Sequence, residues 1–369
     1  MKKLKQLPGY LIPCIFILAL LLLSTLNCSI DNDGNNDNNQ DTAALNVHSI
    51  EFENIERTES DPIRTLKSLK REGELYMITY YGDYNSLLDE LNEKIITEGI
   101  DSVVPGNNAR FECSIFTAFG DPDHPILGRN FDNNIERGVL VGLYSPPDGY
   151  QSISLSRMSD MGFDRGDDPT LLPVEDRQLL LNSVFFPTDG MNERGVSIAL
   201  ATGENAAINR EKNKKLIFIT YLLRVVLDHA GNVEEAVEIV KNYDVFDVNT
   251  STISNHLLIS GPDGNSVIAE YYNGEWKFMP NDRPWQIVTN TLLFNVSEES
   301  RRNECWRYRT VDNYMEQVDG WISWEDGMEI LESISVEDTQ WSSLYDMNNK
   351  EIYISLYRDF DDIFLVKIR

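Results

Sequence analysis

The stretch from Cys113 to Asp132 constrains the fold of this chain most, because it predicts two antiparallel strands joined by one tight turn. The two strand-like runs are residues 113–119 (CSIFTAF) and 126–132 (ILGRNFD). Between them lies the turn-rich hexapeptide 120–125 (GDPDHP). If the turn centres between Pro122 and Asp123, Cys113 lies opposite Asp132. The hairpin then holds a thiol beside a carboxylate, with the guanidinium of Arg129 nearby, which is the core of a nucleophilic site.

The rest of the chain offers little for rival chemistries. The four histidines do not cluster with cysteines at metal-ligand spacing, so we expect no metal site. No glycine-rich phosphate loop occurs, and we expect no organic cofactor. A nucleophilic thiol needs a base, and His256 is one candidate. The other is the α-amine of the nucleophile itself, whose reference pKa of roughly 7.7–8.0 suits proton transfer when that residue is N-terminal.

These residues resemble the choloylglycine hydrolase type of cysteine N-terminal-nucleophile hydrolases, also called linear amide C–N hydrolases. Beyond Cys113 and the GRNFD segment, four further segments occur in the family's order: TDGMNERG at 188–195, VTNTLLF at 288–294, WRY at 306–308 and TQWSSLYD at 339–346. The resemblance covers about residues 113–369. Penicillin V acylases and bile salt hydrolases belong to this family, and N-acylethanolamine acid amidase is related to it.

The resemblance implies both a fold and a set of site residues. The fold is the α/β/β/α four-layer sandwich of N-terminal-nucleophile hydrolases, whereas periodicity alone predicts only a mixed α+β domain. Cys113 is implied as the nucleophile, Asp132 as the group that orients its α-amine, and Arg129 as the charge beside the thiolate. Asn290 is implied as a donor to the oxyanion, and Arg307 completes the polar cluster.

Side-chain alternation adds two geometric expectations. In an ideal hairpin with Cys113 opposite Asp132, these two side chains share one face and Arg129 points to the other. A bulge or twist is then required for Arg129 to reach the thiol. In a helix Arg307 and Arg309 point in different directions, so only one of them faces the site, and the sequence leaves open which.

A free α-amine on Cys113 requires a cut directly before it. We therefore divide the chain into a pro-segment, residues 46–112, and a catalytic domain, residues 113–369. The related enzymes make this cut autocatalytically, and the released piece often stays packed on the catalytic chain. In the pro-segment the sequence predicts a strand near 74–81 and a helix over about 85–97.

The N-terminus predicts export. Basic residues at positions 2, 3 and 5 precede an apolar stretch over 10–26, which is short for a membrane span. We interpret residues 1–28 as a lipoprotein signal peptide with Cys28 as the lipidation site; a plain signal anchor is the alternative. Residues 29–45 are rich in Asp and Asn and predict a disordered tether. We expect a bacterial lipoprotein, exported and anchored to the membrane at the cell surface or the periplasmic face.

Charge and cysteine content exclude two classes of protein. The net charge is -28, and no basic stripe is available to meet phosphates, so we expect no nucleic-acid partner. With Cys14 and Cys28 assigned to the signal peptide, only Cys113 and Cys305 remain, too few for a disulfide-stapled scaffold. If Cys113 is the nucleophile, Cys305 is free, and we interpret it as a small packing residue.

The catalytic domain shows groups of predicted strands separated by helical blocks. The strands are expected at 113–119, 126–131, 138–144, 151–155, 181–186, 195–201, 256–260, 266–272, 351–357 and 363–368. The helices are expected at 215–229, at 233–242 and over a block of about 303–333.

We therefore predict a hydrolase of linear, non-peptide C–N amide bonds whose substrate is a small N-acyl amide. The acyl group forms a thioester on Cys113, an amine leaves, and water then releases the acid. Acyl transfer through the same thioester stays open. So do a surface-binding lipoprotein that is never cut and a thiol peptidase with His256 as base. The sequence specifies neither the acyl nor the amine part of the substrate, and it leaves a homo-oligomer open.

Overall fold

The computed structural model of the protein describes residues 45–52, 60–103, 111–133, 138–164, 166–247 and 251–369. The predicted signal peptide 1–28 with its Cys28, and all of the predicted tether except residue 45, lie outside these residues. Among the residues described, no helix is both long and apolar enough to cross a bilayer.

The described chain contains eighteen strands, seven α-helices and four 3-10 helices. The strands are β1 Asn46–Ile50, β2 Lys70–Glu72, β3 Leu75–Tyr80, β4 Phe111–Ala118, β5 Ile126–Asn133, β6 Val139–Tyr144, β7 Ser152–Arg157, β8 Asp189–Asn192, β9 Ser197–Ala207, β10 Lys215–Phe218, β11 Tyr243–Phe246, β12 Thr252–Ser260, β13 Ser266–Tyr272, β14 Glu275–Pro280, β15 Trp285–Val288, β16 Thr339–Asp346, β17 Glu351–Leu356 and β18 Asp362–Lys367. The α-helices are α1 Pro62–Lys67, α2 Asn85–Glu98, α3 Ile219–His229, α4 Val233–Lys241, α5 Glu298–Glu304, α6 Trp306–Val318 and α7 Trp324–Ser333. The 3-10 helices are Ile100–Ser102, Met158–Met161, Pro169–Leu171 and Val174–Phe185.

Two large sheets hold most of these strands. Over the described residues, sheet A has seven strands in the order β1-β18-β17-β16-β5-β4-β15, and sheet B has nine in the order β14-β13-β12-β9-β8-β7-β6-β3-β2. Strands β10 and β11 form a separate parallel pair. Neighbours within the two sheets are antiparallel except at β1–β18 and β3–β6.

The sheets and helices stack in four layers, which confirms the predicted sandwich. One core lies between the sheets and reaches α6 and α7 on the outer side of sheet A; it includes Leu155, Met315 and Leu331. The second core packs α2, α3 and α4 against the outer side of sheet B, and includes Leu223 and Leu257. Because both faces of the central strands are covered, β5 is buried along its whole length, polar residues included, rather than on alternate positions only.

Backbone conformation divides the predicted helical block 303–333 into three helices. Cys305 is extended, with φ -128° and ψ 115°, and separates α5 from α6. Asp319 and Gly320 both have positive φ, at 51° and 70°, so they end α6 in the left-handed region. Ser323 then starts α7 through a capping box with Asp326.

Two predicted elements are wrong. Residues 181–186 were expected to form a strand, but residues up to 185 belong to the 3-10 helix Val174–Phe185. Its buried residues are Leu180, Ser183, Val184 and Phe185, and the apolar ones among them belong to the second core. The helix expected from residue 215 begins at Ile219, because residues 215–218 form β10, which pairs with β11.

The predicted pro-segment contributes strands to both sheets. Its β1 is the edge strand of sheet A, and its β3 pairs with β6 in sheet B. Leu88, Leu91 and Ile95 of α2 lie in the second core. The hydroxyl of Tyr84 donates to the buried carboxylate of Asp228 on α3, at 2.9 and 3.0 Å from its two oxygens. The expected strand and helix of this segment are confirmed as β3 and α2.

Candidate active site

Cys113 lies near the start of β4, and its partner across the hairpin is Phe131 rather than Asp132. Ala118 pairs with Ile126, so the connecting loop has an odd number of residues and the hairpin centres on Pro122. The expected register is therefore wrong by one residue. Because the side-chain period of a strand is two, this shift exchanges the faces of every residue on β5 relative to Cys113.

The corrected register places Arg129 on the face of Cys113 with regular pairing between β4 and β5. The bulge that the expected register required is not needed. This face looks toward sheet B, since Arg129 contacts residues of β8 and β9. Asp132 and Ser114 lie on the opposite face, toward α6, where both contact Arg307.

The thiol of Cys113 is fully buried beside a positive charge. Nη2 of Arg129 donates to Sγ at 3.6 Å. Burial raises the pKa of the Cys113 thiol; Arg129 lowers it in part, and the charge of Asp132 raises it further. The thiol is therefore protonated near neutral pH and needs a base before it can act as a nucleophile.

A buried carboxylate fixes Arg129. Asp189 of β8 accepts hydrogen bonds from Nη1 of Arg129, from the hydroxyl of Tyr345 at 2.6 Å and from Oγ of Ser343 at 2.8 Å. Both members of the ion pair have no exposed side-chain area. The guanidinium also lies 4.8 Å from the ring of Phe131. Its position beside the thiol is thus set by contacts on several sides.

The nitrogen of Cys113 belongs to a second polar cluster. Its N–H donates to Oδ1 of Asn290 at 3.1 Å. Nη2 of Arg307 donates to the same oxygen at 2.8 Å, and its Nη1 donates to Oδ2 of Asp132 at 3.1 Å. Because a guanidinium only donates, the atom of Asn290 that faces it must be the amide oxygen. Nδ2 of Asn290 donates to the carbonyl of Thr202 at 2.8 Å.

The five predicted site residues are therefore brought together around one cysteine. Arg129 contacts its sulfur, Asn290 contacts its nitrogen, and Arg307 joins Asn290 to Asp132. The predicted role of Asn290 as an oxyanion donor stays a prediction. Its Nδ2 carries two hydrogens, the kind of donor that such a role requires.

The structure also decides between the two arginines of α6. Arg307 is buried and faces the cluster, whereas Nη1 of Arg309 donates to the backbone carbonyl of Arg302 at an exposed position. Two residues along a helix turn the side chain by about 200°, so the two cannot face the same site.

Arg307 and Arg309 form a matched pair for mutagenesis. We expect Arg307→Met to lower kcat/KM of the predicted reaction by about 10²-fold, because Asp132 and Asn290 lose their shared donor. Arg309→Met is expected to stay close to wild type. Steady-state kinetics on both purified variants check this, and equal losses in the two would contradict the assignment.

His256 does not contact the thiol. Among the described residues, the side chain that hydrogen-bonds to Sγ of Cys113 is Arg129. His256 is buried in β12, and its Nδ1 lies 3.1 Å from Oε2 of Glu270 on β13. The geometry therefore gives no support to a thiol peptidase that uses His256 as base.

Asp189 is the main site residue that sequence reasoning missed. It lies in the segment TDGMNERG, and its partners Ser343 and Tyr345 lie in TQWSSLYD. Both segments carried the resemblance, but no role was assigned to their side chains. The available clue was a carboxylate inside one such segment and hydroxyls inside another. Their contact spans 154 and 156 residues, which spacing cannot predict.

A group of three carboxylates in the described residues has the spacing of metal ligands but is already paired. Glu298, Asp312 and Glu316 bring oxygens close together. Arg302 contacts all three, at 3.1, 2.6 and 2.5 Å respectively. We interpret this group as an ion-pair network that joins α5 to α6.

Comparison with solved structures shows the same fold in a penicillin V acylase and in a conjugated bile acid hydrolase. Penicillin V acylase from Agrobacterium tumefaciens is 18% identical with a TM-score of 0.50, over 69% of this chain and 86% of that one. Two variants of conjugated bile acid hydrolase from Clostridium perfringens are each 16% identical with a TM-score of 0.50. They cover 70% and 69% of this chain, and 92% of their own chains is matched.

Sequence comparison places the chain in a family. No curated protein matches the chain in a sequence search. The family model of linear amide C–N hydrolases, choloylglycine hydrolase family, matches residues 113–317, and this match begins at the cysteine around which the site is built. The chain therefore belongs to the choloylglycine hydrolase family and is an amide C–N hydrolase.

Proposed function

We propose that this enzyme hydrolyses small N-acyl amides through a thioester on Cys113, and that it first exposes the α-amine of Cys113 by cutting its own chain. One observation carries the proposal. The sulfur and the nitrogen of the same buried residue are each held by a polar side chain, Arg129 and Asn290. A nucleophile that serves as its own base needs both atoms fixed in this way.

The proposed cut proceeds in two steps. Sγ of Cys113 attacks the carbonyl carbon of Glu112 while the thiol proton moves to the nitrogen of Cys113. The C–N bond breaks, which leaves a Glu112 thioester and a free α-amine. Water then attacks the thioester, sulfur regains a proton, and Glu112 ends as a carboxylate with release of one proton. Glu112 and Cys113 are consecutive residues of β4, so this peptide bond lies directly beside the thiol.

Amide hydrolysis uses the same atoms. The α-amine takes the thiol proton as sulfur attacks the substrate carbonyl carbon, and the carbonyl oxygen becomes an oxyanion. The ammonium then gives its proton to the leaving nitrogen as the C–N bond breaks. Water, deprotonated by the α-amine, attacks the thioester, and that proton returns to sulfur as the acid leaves. Because burial keeps the thiol protonated, the reaction depends on this base.

Each site residue has a role in this scheme. Arg129 stabilises the thiolate, and Asp189 holds Arg129 in place. Oδ1 of Asn290 accepts from the α-amine, and an N–H of its side-chain amide donates to the oxyanion, which is worth roughly 2.7–4 kcal/mol in comparable sites. Asp132 and Arg307 balance each other's charge and orient this cluster.

A substrate panel tests the proposal. The purified, cut enzyme is incubated with N-acyl amino acids, fatty amides, penicillins, N-acyl lactones and bile-acid conjugates, and the released amine is measured. We expect release from at least one class and an acyl group on the Cys113 fragment by mass spectrometry. Release that survives complete alkylation of Cys113 would contradict the proposed nucleophile.

We also propose that the enzyme is exported and held at the membrane by a lipid on Cys28. In that case the lipid sits on the fragment before Cys113, and the pro-segment must hold the catalytic fragment. Association of the two fragments is supported by the pairing of β1 within sheet A, the pairing of β3 within sheet B and the hydrogen bond from Tyr84 to Asp228.

Cleavage is therefore expected to leave the two fragments associated. The cut enzyme should give two bands on a denaturing gel but one peak of combined mass in gel filtration. The reason is that separation would expose a strand edge of each sheet and the apolar face of α2. Elution of the catalytic fragment alone, under the same conditions, would contradict the membrane-retention proposal.

A further inference from the structure

Two buried ionisable residues in sheet B have no role in the proposed chemistry. His256 on β12 and Glu270 on β13 face each other in the strand register, and each side chain is only 2% exposed. Nδ1 of His256 lies 3.1 Å from Oε2 of Glu270. Burying a charged group costs free energy unless the group is paired and hydrogen-bonded, so a buried carboxylate such as that of Glu270 is expected to have partners.

Glu270 binds the segment that follows Asn290. Its Oε2 accepts the backbone N–H of Leu293 at 2.8 Å, and its Oε1 accepts the N–H of Phe294 at 3.1 Å. Burial raises the pKa of Glu270, but His256 and these two N–H groups together lower it below its ordinary value. The carboxylate is thus ionised at neutral pH, and both of its oxygens tie the Asn290 segment to sheet B.

His256 packs against β9, the strand whose residue Thr202 accepts a hydrogen bond from Nδ2 of Asn290. A Cβ at Gly203 of β9 would lie 2.1 Å from Nε2 of His256, so the ring occupies the space left by that glycine. The residue before Gly203 is Thr202, whose carbonyl accepts from Nδ2 of Asn290. The ring therefore lies between Glu270 and Gly203, the residue directly after the one whose carbonyl accepts from Asn290.

Asn290 lies just beyond the last residue of β15 that pairs with β4, so we expect its position to depend on the contacts of Glu270 with the segment that follows. Strand β15 stops at Val288, which pairs with Ile115 of β4. Beyond that point Asn290 reaches Cys113 by its side chain. Its segment is then fixed on one side by β15 and on the other by Glu270.

We propose that Glu270 and His256 are positioning residues, which act on the reaction by holding Asn290 at the nitrogen of Cys113. This inference rests on the proposed function of Cys113 and Asn290. A displacement of a catalytic group by about 1 Å can cost on the order of 10² in rate, even when the mutated residue is remote from the reacting atoms.

The test compares Glu270→Gln and Glu270→Ala with a matched control. Asp346→Asn is the control, because Asp346 is a buried carboxylate that also contacts a histidine, His124 at 2.8 Å, and a backbone N–H at 2.9 Å. We expect kcat to fall by about 10- to 100-fold in Glu270→Ala and by less in Glu270→Gln, with little change in KM. The control is expected to keep wild-type kcat. If Glu270→Ala is insoluble, Glu270→Gln carries the test.

A double-mutant cycle separates positioning from a general loss of stability. If Glu270 acts through Asn290, then adding Glu270→Gln to Asn290→Ala lowers kcat no further. The inference would be overturned if the loss of kcat in the double variant equalled the product of the losses in the two single variants. It would also be overturned if Glu270→Gln kept wild-type kcat. A wild-type chain that neither cuts before Cys113 nor hydrolyses amides would instead overturn the proposed function, so the two failures are distinguishable.

Discussion

Replacing Cys113 by alanine is expected to leave the chain uncut and to lower kcat/KM for amide hydrolysis by on the order of 10⁶-fold, as loss of a nucleophile does in comparable hydrolases. The self-cut and amide hydrolysis both proceed through a thioester on the same sulfur, so no other group can replace it. Fold stability should change little, because the substitution removes one buried atom that packs beside Arg129. Amine release, measured over a range of substrate concentrations, gives the comparison with wild type.

Cys305 supplies the control for this prediction. It is also a free, buried cysteine, and it lies at the start of α6. Cys305→Ser is expected to cut itself and to hydrolyse amides at close to the wild-type rate. To separate catalysis from processing, the cut Cys305→Ser enzyme can be alkylated with iodoacetamide, which should abolish amine release. Activity in Cys113→Ala above about 10⁻³ of wild type would contradict the nucleophile assignment.

Breaking the Arg129–Asp189 ion pair is expected to have the second largest effect. Either Arg129→Met or Asp189→Asn leaves one buried charge without its partner, which typically costs about 3–5 kcal/mol in free energy of unfolding. Arg129→Met also removes the positive charge that lowers the pKa of the Cys113 thiol. We therefore expect both single variants to lose stability, and Arg129→Met to lose hydrolysis as well.

The double variant distinguishes structure from chemistry at this pair. With Arg129→Met and Asp189→Asn combined, neither charge is buried alone, so much of the lost stability should return. Hydrolysis should not return, because the thiolate still lacks its guanidinium. Urea unfolding and steady-state kinetics measure the two quantities. Wild-type stability in both single variants, or wild-type hydrolysis in the double variant, would contradict the account.

The sequence predicted which side chains meet, but not how they are oriented. Cys113, Arg129, Asp132, Asn290 and Arg307 could be chosen because each lies in a short segment that resembles the family. The strand face on which each side chain lies could not be predicted, because the register of a hairpin depends on whether its loop has an odd or an even number of residues. The loop is centred on Pro122 and not between Pro122 and Asp123, and this difference of one residue exchanges the two faces of β5 relative to Cys113.

Contacts between sheets were the least predictable part of the site. Asp189 belongs to sheet B, whereas Ser343 and Tyr345 belong to sheet A, and they meet only because the two sheets stack. Local patterns describe single strands and helices, so they predicted β3, α2 and the two strands of the hairpin, but not how those strands pair. They also misassigned residues 181–186, where an apolar run typical of a strand packs as a 3-10 helix.

The most direct test of the account is the intact mass and N-terminal sequence of the purified wild-type protein, measured beside Cys113→Ala. The account predicts a wild-type fragment that begins with Cys113, together with its N-terminal partner, and a single uncut chain in the variant. A wild-type chain that stays uncut after long incubation at mildly acidic and neutral pH would contradict the self-activating thioester mechanism. It would favour instead a surface-binding protein that keeps the hydrolase fold.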